Sequence, residues 1–212
     1  MMTRKITEGP IRNKALTKKE LINSIGEIIE KEGFSQITIV NIARYAKRDK
    51  KLIYEYFGGV DELIQEYLNT RDFWDASEEE LDNITKKHKL NLGKDIRYQL
   101  LEKQFDSLLK SGEMRGVTAW EINGKNLQSL QELAQKREKA RNQLFDKIED
   151  KHSKDKDKNI KAIEAILMGG INYLTVHAHT SESAFHGIDV KKKSDQQKVK
   201  KALKQIIEWA YS

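Results

Sequence analysis

The sequence predicts an all-α protein with a small helix-turn-helix head at its N-terminus and a larger helical body after it. Apolar residues recur at helical spacing along most of the chain. A single proline among 212 residues, together with 38% hydrophobic and 34% charged residues, is typical of a soluble helical protein. The predicted division is a flexible basic arm (1–14), a helix-turn-helix head (15–60) and a larger helical body (61–212).

The composition also bears on the compartment. The chain has no cysteine, so neither disulfides nor thiolate metal sites are expected, which suits a reducing environment. The first ten residues lack the apolar core of a secretion signal. The longest mostly apolar run, residues 165–178, is too short to span a bilayer. We therefore expect a cytoplasmic protein without membrane contacts.

Positive charge is concentrated near the N-terminus. Residues 1–60 contain twelve Lys or Arg against seven Asp or Glu, whereas the whole chain contains 39 against 33. Most of the net charge of +6 therefore belongs to the first 60 residues. Such asymmetry indicates a polyanionic partner at that end, and nucleic acid is the usual one.

The first helix is predicted to begin at Thr17. Thr17 and Glu20 have the spacing of a capping box, in which each side chain serves a backbone N–H of the first turn. Gly33 is placed to end this helix in a left-handed conformation. Between them one stripe is apolar and consists of Leu21, Ile25, Ile28 and Ile29.

Two short amphipathic helices follow between residues 38 and 57. Thr38 is a predicted cap for the first and Asp49 for the second, which Gly58 and Gly59 end. The turn between them is too short for the two helices to pack as antiparallel neighbours. This pattern is typical of a helix-turn-helix, whose second (recognition) helix enters the major groove while the first crosses the DNA backbone.

At this point the sequence resembles a known family. The ordered residues are Phe34, Thr38, Ile42-Ala43, Ala46, Leu52-Ile53-Tyr54-x-Tyr56-Phe57 and Asp61-Glu62-Leu63. They are similar to the N-terminal domain of the TetR family of bacterial transcriptional regulators, over about residues 15–68 and without a gap. The aromatic triplet is the most diagnostic part. The remaining two-thirds of the chain shares with this family only its helical character.

The candidate DNA contacts follow from position and from the resemblance. Cations and helix N-termini neutralise phosphates, while groups at the front of the recognition helix reach base edges. By resemblance, Tyr54 occupies a frequent DNA-contacting position and Thr38 faces a phosphate. Tyr56 fits DNA contact and core packing about equally, and Phe57 is expected in the core. The predicted set is Lys50, Lys51, Tyr54 and Tyr56 on the recognition helix, with Thr38, Lys47 and Arg48 on phosphates.

Three positions depart from the family pattern. Lys47 stands where a turn glycine is usual, which predicts either a left-handed lysine or a slightly different turn. Arg48 replaces an apolar residue that normally plugs the core of the head, so its guanidinium either reaches past that core to the surface or adds a phosphate contact. Val60 stands where the family usually has a lysine that contacts the DNA backbone at the start of the fourth helix, and that contact is expected to be lost.

The rest of the chain predicts further helices separated by polar segments. A fourth helix is capped by Asp61, a capping box at Ser77 opens the next, and a box at Ser194 opens the last. Residues 150–159 contain no hydrophobic residue and predict a loop. Helices are expected over about residues 96–109, 127–148 and 160–179, with a short segment that carries Met114, Val117, Trp120 and Ile122 between the first two.

The predicted helix at 160–179 is the most apolar of the chain and apolar nearly all round, which is typical of burial against a partner chain. Gly169 and Gly170 in its middle indicate either a close helix crossing or a kink. By resemblance, this helix and the last one pack with their copies as a four-helix bundle in a two-fold homodimer. Such a dimer presents two recognition helices to successive major grooves of a near-palindromic site.

The resemblance also implies a small-molecule effector that binds among the central helices and changes the separation of the two heads. Candidate lining residues are large side chains with polar groups on interior helices. Each of them, taken singly, is more often an ordinary core residue. The predicted set is Tyr98, Phe105, Trp120, Asn172 and Tyr173.

The sequence offers little for catalysis or metal binding. It shows no Ser/His/Asp order, Gly-rich phosphate loop or HExxH motif. His177 and His179, two apart on a helix, point to nearly opposite faces. We expect no enzyme, cofactor or metal, and predict a repressor that a small molecule releases from DNA. The alternative is a helical interaction protein of the same architecture that has lost sequence-specific DNA binding, and a helical enzyme is a third possibility.

Overall fold

The computed structural model describes residues 10–70, 92–123, 128–147, 159–181 and 183–212. These residues form nine α-helices, one turn of 3-10 helix and no β-strand, which confirms the all-α prediction. Within them, no helix has the length and apolar content that crossing a membrane requires. The helices are α1 (Pro10–Lys31), α2 (Ile39–Ala46), α3 (Lys51–Phe57), α4 (Val60–Thr70), α5 (Leu92–Lys110), α6 (Gly112–Asn123), α7 (Gln128–Lys147), α8 (Ile160–Thr180) and α9 (Lys193–Ala210).

The chain divides into two compact units. Among the described residues, the head unit comprises residues 10–70 and 128–133, and the body unit comprises residues 92–123, 134–147, 159–181 and 183–212. In the head unit, α1 packs against α2 and α4, and α3 packs against α4. The helix-turn-helix is therefore supported by α1 and by α4.

The first helix begins earlier than its capping box predicts. α1 starts at Pro10, and Thr17 lies buried inside it, so the predicted start at Thr17 is wrong. Proline suits the first position of a helix, because its fixed φ is helical and its missing N–H has no intrahelical partner there. The predicted arm falls partly on residues 1–9, outside the described residues. Gly33 has a positive φ of 86°, but its ψ of 161° is extended rather than left-handed helical.

The head core is built from the apolar stripes that the sequence predicts. Ile42 of α2 and Ile53 of α3 are fully buried, and Gly58 ends α3 in the left-handed conformation with φ 95°. α4 begins at Val60, so Asp61 is not its cap but lies in the first turn, where its charge complements the helix dipole. From the two supporting helices, α1 and α4, the head core takes the buried hydrophobic residues Leu21, Ile25, Ile28, Ile29, Leu63, Ile64, Tyr67 and Leu68.

The body unit is organised around α5. This helix packs against α8 and α9, and α6 packs against both α5 and α8. Arg97 of α5 is buried and is held by Glu164 of α8 and by the hydroxyl of Tyr211, which accepts from its Nε at 2.7 Å. The buried cluster of this unit consists of Leu101, Phe105, Leu108, Met114, Ile171, Ala178, Val190, Leu203 and Ile207.

Two helices of the body unit keep exposed apolar faces. α8 buries Ile171 and Ala178, but Ile166 is 74% exposed and Tyr173 is 48% exposed. In α9, Trp209 is 60% exposed. α9 begins at Lys193, so Ser194 is its second residue and not its cap. The capping box at Ser77, both end residues of the predicted 127–148 helix and residues 150–158 of the predicted loop lie outside the described residues.

Candidate nucleic-acid interface

The first helix of the helix-turn-helix has the cap that the sequence predicts. Thr38 has extended backbone angles, and its Oγ1 accepts from the backbone N–H of Asn41 at 3.2 Å. The Nδ2 of Asn41 donates to the carbonyl of Gln36 at 2.9 Å, which fixes the entry to the helix. Thr38 is exposed, so the positive end of the α2 dipole is open to an anion.

The α2–α3 turn shows how this chain replaces the usual glycine. Lys47 takes the left-handed conformation, with φ 53° and ψ 43°, so the first of the two predicted alternatives applies. Its backbone N–H donates to the carbonyl of Arg44 at 3.3 Å. The lysine side chain is exposed and adds a cation where glycine would have none. The turn is therefore strained but basic.

Arg48, the next residue, is tied to the first helix of the head. Its Nε and Nη2 lie 2.8 and 2.7 Å from Oε2 of Glu20, with both side chains about a third exposed. In the family that the sequence resembles, an apolar side chain at this position packs into the core of the head. Here the Arg48 guanidinium instead extends past that core and pairs with the Glu20 carboxylate on α1. A guanidinium has five N–H donors, so this ion pair does not exclude a phosphate contact.

The recognition helix α3 places its exposed polar groups and its buried apolar residue on different faces. The cap position belongs to Lys50, whose side chain makes no capping hydrogen bond, so the predicted cap at Asp49 lies one residue too early. Oδ1 of Asp49 still accepts from the N–H of Lys51 at 2.8 Å. Lys50, Lys51 and Tyr54 are exposed, Tyr54 by 60%, while Ile53 is fully buried. The front of α3 thus carries two cations and one phenol over a buried apolar anchor.

Tyr56 and Phe57 are half-buried and face α1. The Nζ of Lys14 lies 5.0 Å from the centroid of the Tyr56 ring, and the Nζ of Lys18 lies 5.1 Å from that of Phe57. Both distances are within the range of a cation–π contact. The two aromatics therefore join α3 to α1, a role that the sequence pattern does not reveal because the lysines precede them by about forty residues.

A second polar group in the head also lies outside the sequence prediction. Oε1 of Glu32 accepts from the Tyr45 hydroxyl and from Nη2 of Arg44, both at 2.8 Å. The hydrogen bond from Tyr45, followed by that from Arg44, lowers the pKa of Glu32. The same bond raises the pKa of the Tyr45 phenol. This group fastens the end of α1 to α2 and keeps the helix-turn-helix in place.

The five predicted ligand-lining residues fall into several environments. Phe105 belongs to the buried cluster of the body unit, and half-buried Tyr98 packs against that cluster. Trp120 of α6 is buried. Asn172 of α8 accepts from Nε2 of Gln104 at a long 3.5 Å, which joins α8 to α5 through two amides. Tyr173 lies at the surface.

Two polar groups of the body unit lie outside the sequence prediction, one beside Tyr98 and one at Glu121. Burial, followed by the nearby Glu102, raises the pKa of Tyr98. Lys200 of α9 lies 3.3 Å from Glu102 and 2.7 Å from Asp106, so a charged group lines this side of α5. Glu121 of α6 pairs with Arg137, yet burial raises the pKa of its carboxyl more than the arginine lowers it.

The two histidines of α8 are held by separate partners. Nδ1 and Nε2 of His177 lie 3.1 and 3.2 Å from the hydroxyls of Ser181 and Ser183, and Nδ1 of His179 lies 2.9 Å from the carbonyl of Thr175. The His177 ring also stacks on Tyr173. Among the described residues, no group of three or more His, Asp or Glu side chains is placed to hold a metal ion.

Solved structures share this architecture. The transcriptional regulator FadR from Bacillus subtilis, in complex with stearoyl-CoA, is 16% identical over 92% of this chain and 97% of its own, with a TM-score of 0.59. The fatty acid degradation regulator FadR from Bacillus halodurans is also 16% identical, over 95% and 96% of the two chains, with a TM-score of 0.60. NalD, the secondary repressor of the MexAB-OprM multidrug efflux pump in Pseudomonas aeruginosa, is 18% identical over 93% and 96%, with a TM-score of 0.58.

No protein-family model matches the chain, and no curated protein matches it. At these identities, the similar structures establish the fold: an all-helical chain with an N-terminal helix-turn-helix head.

Proposed function

We propose that this protein is a TetR-like transcriptional regulator that binds duplex DNA as a homodimer and responds to a small molecule. One observation carries the proposal: the exposed front of α3 presents Lys50, Lys51 and Tyr54 beside the open N-terminus of α2. A helix-turn-helix with these groups suits a major groove and its flanking phosphates. The fold shared with FadR and NalD, a repressor, supports a regulatory role.

The residues of the interface divide by chemistry. Thr38 and the N-terminus of α2 receive a phosphate, and Lys47 and Arg48 of the turn bind neighbouring phosphates. Tyr54, Lys50 and Lys51 enter the major groove, where side chains read base edges. Tyr56 contacts the backbone from the side of the helix that faces α1. Val60 contributes no cation, so the turn lysine and arginine replace that contact.

A second copy of the chain covers the exposed faces of α8 and α9. Ile166 and Tyr173 are seven residues apart and so lie on one side of α8, with Gly169 between them. A Cβ added at Gly169 or Gly170 meets nothing within 4 Å in the single chain, so packing within the chain does not require these glycines. Close approach of a partner helix does require them. Exposed Trp209 extends this apolar surface onto α9.

The effector binds in the body unit, where the amide pair of Gln104 and Asn172 and the phenol of Tyr98 are polar groups beside an apolar cluster. A ligand that prefers one arrangement of the dimer shifts the population and releases DNA. We place the protein in the cytoplasm as a repressor without catalytic activity. The stearoyl-CoA bound to FadR makes long-chain acyl-CoA the first effector class to test.

Selection from a pool of random duplexes tests the proposal. The protein should enrich a near-palindromic motif whose half-sites lie about one helical turn, or a multiple of it, apart. Affinity for that motif should fall steeply with salt. Enrichment of no motif would instead support a helical interaction protein without sequence-specific DNA binding. The observations that favour this second function are the engagement of Arg48 by Glu20 and the absence of a cation at Val60.

A further inference from the structure

Two lysines of α1 lie against the aromatic residues of the recognition helix. Lys14 and Lys18 are four residues apart and therefore share one face of α1. Each ammonium lies over a different ring, that of Tyr56 or Phe57, at 5.0 and 5.1 Å from the centroid. The rings of two consecutive residues of α3 therefore each contact a lysine from one of two consecutive turns of α1. This pairing sets positive charge beside the recognition helix.

The ring contacts leave these cations able to bind an anion. An ammonium has three N–H donors on a flexible stem, and attraction to a ring face does not use them as a carboxylate would. Lys14 is exposed and Lys18 is half-buried. Arg48, by comparison, already donates from two nitrogens to Glu20. Both ammonium groups are therefore positioned by a ring and available to a phosphate.

We propose that Lys14 and Lys18 bind backbone phosphates of duplex DNA, so that α1 forms part of the interface together with α2 and α3. The inference rests on the proposed DNA-binding function and extends its surface. Tyr56 lies at the edge of the recognition helix and holds Lys14 beside the groove that α3 enters. The cations contribute affinity without sequence preference, because phosphates are alike at every base pair.

Salt dependence separates phosphate binding from a purely structural role of these lysines. Each phosphate contact contributes about 0.9 to the slope of log K against log salt concentration. Because each substitution removes one contact from both subunits of the proposed homodimer, Lys14→Gln and Lys18→Gln should each lower the magnitude of that slope by about 1.8, and the double variant by about 3.6, with an unchanged preferred motif. Lys14→Arg and Lys18→Arg keep the charge and should keep the wild-type slope. Lys19→Gln, an exposed lysine on the neighbouring face of α1, is the matched control and should behave as wild type.

The outcomes distinguish this inference from the function it rests on. If wild-type protein binds no duplex at low salt, the DNA-binding function itself fails. If wild type binds and the Gln variants retain its slope while melting at a lower temperature, the lysines only pack against the rings and the inference is overturned. If Lys19→Gln lowers the slope as much as the other two, the effect is one of net charge, which also overturns it.

Discussion

Arg48 of the α2–α3 turn and Glu20 of α1 form an ion pair in which Nε and Nη2 of the guanidinium lie 2.8 and 2.7 Å from one carboxylate oxygen. The turn that precedes the recognition helix is thereby fastened to the first helix of the head. An apolar side chain at this position would provide the same anchorage by burial alone. The arginine provides this anchorage through an ion pair and leaves further N–H donors at the proposed DNA-binding surface.

Glu20→Gln and Arg48→Gln should differ in their effects on DNA binding. Both substitutions remove the ion pair, and each should lower the free energy of unfolding by up to about 1 kcal/mol, since the pair is partly exposed. Only Arg48→Gln should also reduce the magnitude of the salt slope of duplex binding, by about 1.8, because both subunits of the proposed homodimer lose one phosphate contact. Denaturant titration and binding at several salt concentrations measure both quantities. An unchanged slope in Arg48→Gln would show that this arginine is a tether alone.

Lys47→Gly and Lys47→Val should have opposite effects on stability. The left-handed conformation at φ 53° costs a residue with a side chain about 1 kcal/mol or more, and a β-branched residue most of all. Both substitutions remove the same cation, so their effects on DNA affinity should agree. Thermal unfolding should rank glycine above valine, with wild type between them. Equal stability of the two variants would mean that the turn relaxes to another conformation.

The sequence predicted much of the head because its signals are local. The Thr38 cap, the end of α3 at Gly58 and the buried residues of α2 and α3 each depend on a few neighbouring residues, and the structure confirms them. The cap of α3, by contrast, falls on Lys50 and not on Asp49. The start of α1 was wrong because a capping box is also compatible with the middle of a helix, where Thr17 is buried. The sequence left two conformations open at Lys47, and the backbone angles of the structure decide for the left-handed one.

Contacts between distant residues were beyond the sequence. Glu20 and Arg48 are 28 residues apart, and Arg97 and Tyr211 are 114 apart, so no local pattern relates them. The predicted ligand-lining residues have this limitation too, because which aromatic faces a pocket depends on how helices pack. The sequence predicted α8 as apolar all round, and only the structure shows that Ile166 lies on its exposed side.

Ile166→Glu should prevent self-association, and Ile122→Glu should not. Both isoleucines are exposed in the single chain, by 74% and 66%, but only Ile166 lies on the proposed dimer surface. Sedimentation should give wild type and Ile122→Glu twice the 24.6 kDa chain mass, and Ile166→Glu the chain mass itself. A charge buried at such an interface without a partner is costly. Wild type that sediments as a single chain at every concentration would refute the dimer.

Gly169→Ala gives a second test of that surface through the sign of its effect. In a solvent-facing helix, alanine is more stable than glycine by about 0.5–1 kcal/mol, and the added Cβ meets nothing within the chain. At a close helix crossing, the methyl group should instead separate the two helices and weaken the dimer. Concentration-dependent thermal unfolding should therefore show a loss of dimer stability. A uniform gain in stability would place Gly169 in solvent.

Asp195→Asn should remove an acid-sensitive contribution to stability. The hydrogen bond from Lys198, followed by that from the backbone N–H of Asp189, lowers the pKa of Asp195 below its ordinary value of 3.8. Because the folded state favours the ionised carboxylate, the contribution is complete above that value and is lost as pH falls through the lowered pKa. The difference in unfolding free energy between wild type and variant should be constant well above pH 3.8 and should shrink as pH falls below that value toward the lowered pKa. A constant difference would show that the charge plays no part.

Tyr54 provides the most direct test of the proposed function, because it is 60% exposed at the front of α3 and contributes little to the core. The decisive measurement compares wild type and Tyr54→Ala on the selected motif and on a scrambled duplex, with thermal unfolding as the folding control. Loss of a base contact should weaken binding to the motif by about 1–3 kcal/mol while binding to the scrambled duplex and the melting temperature stay the same. Equal binding of the motif by both proteins, or a wild type that binds motif and scrambled duplex alike, would contradict sequence-specific recognition by this helix.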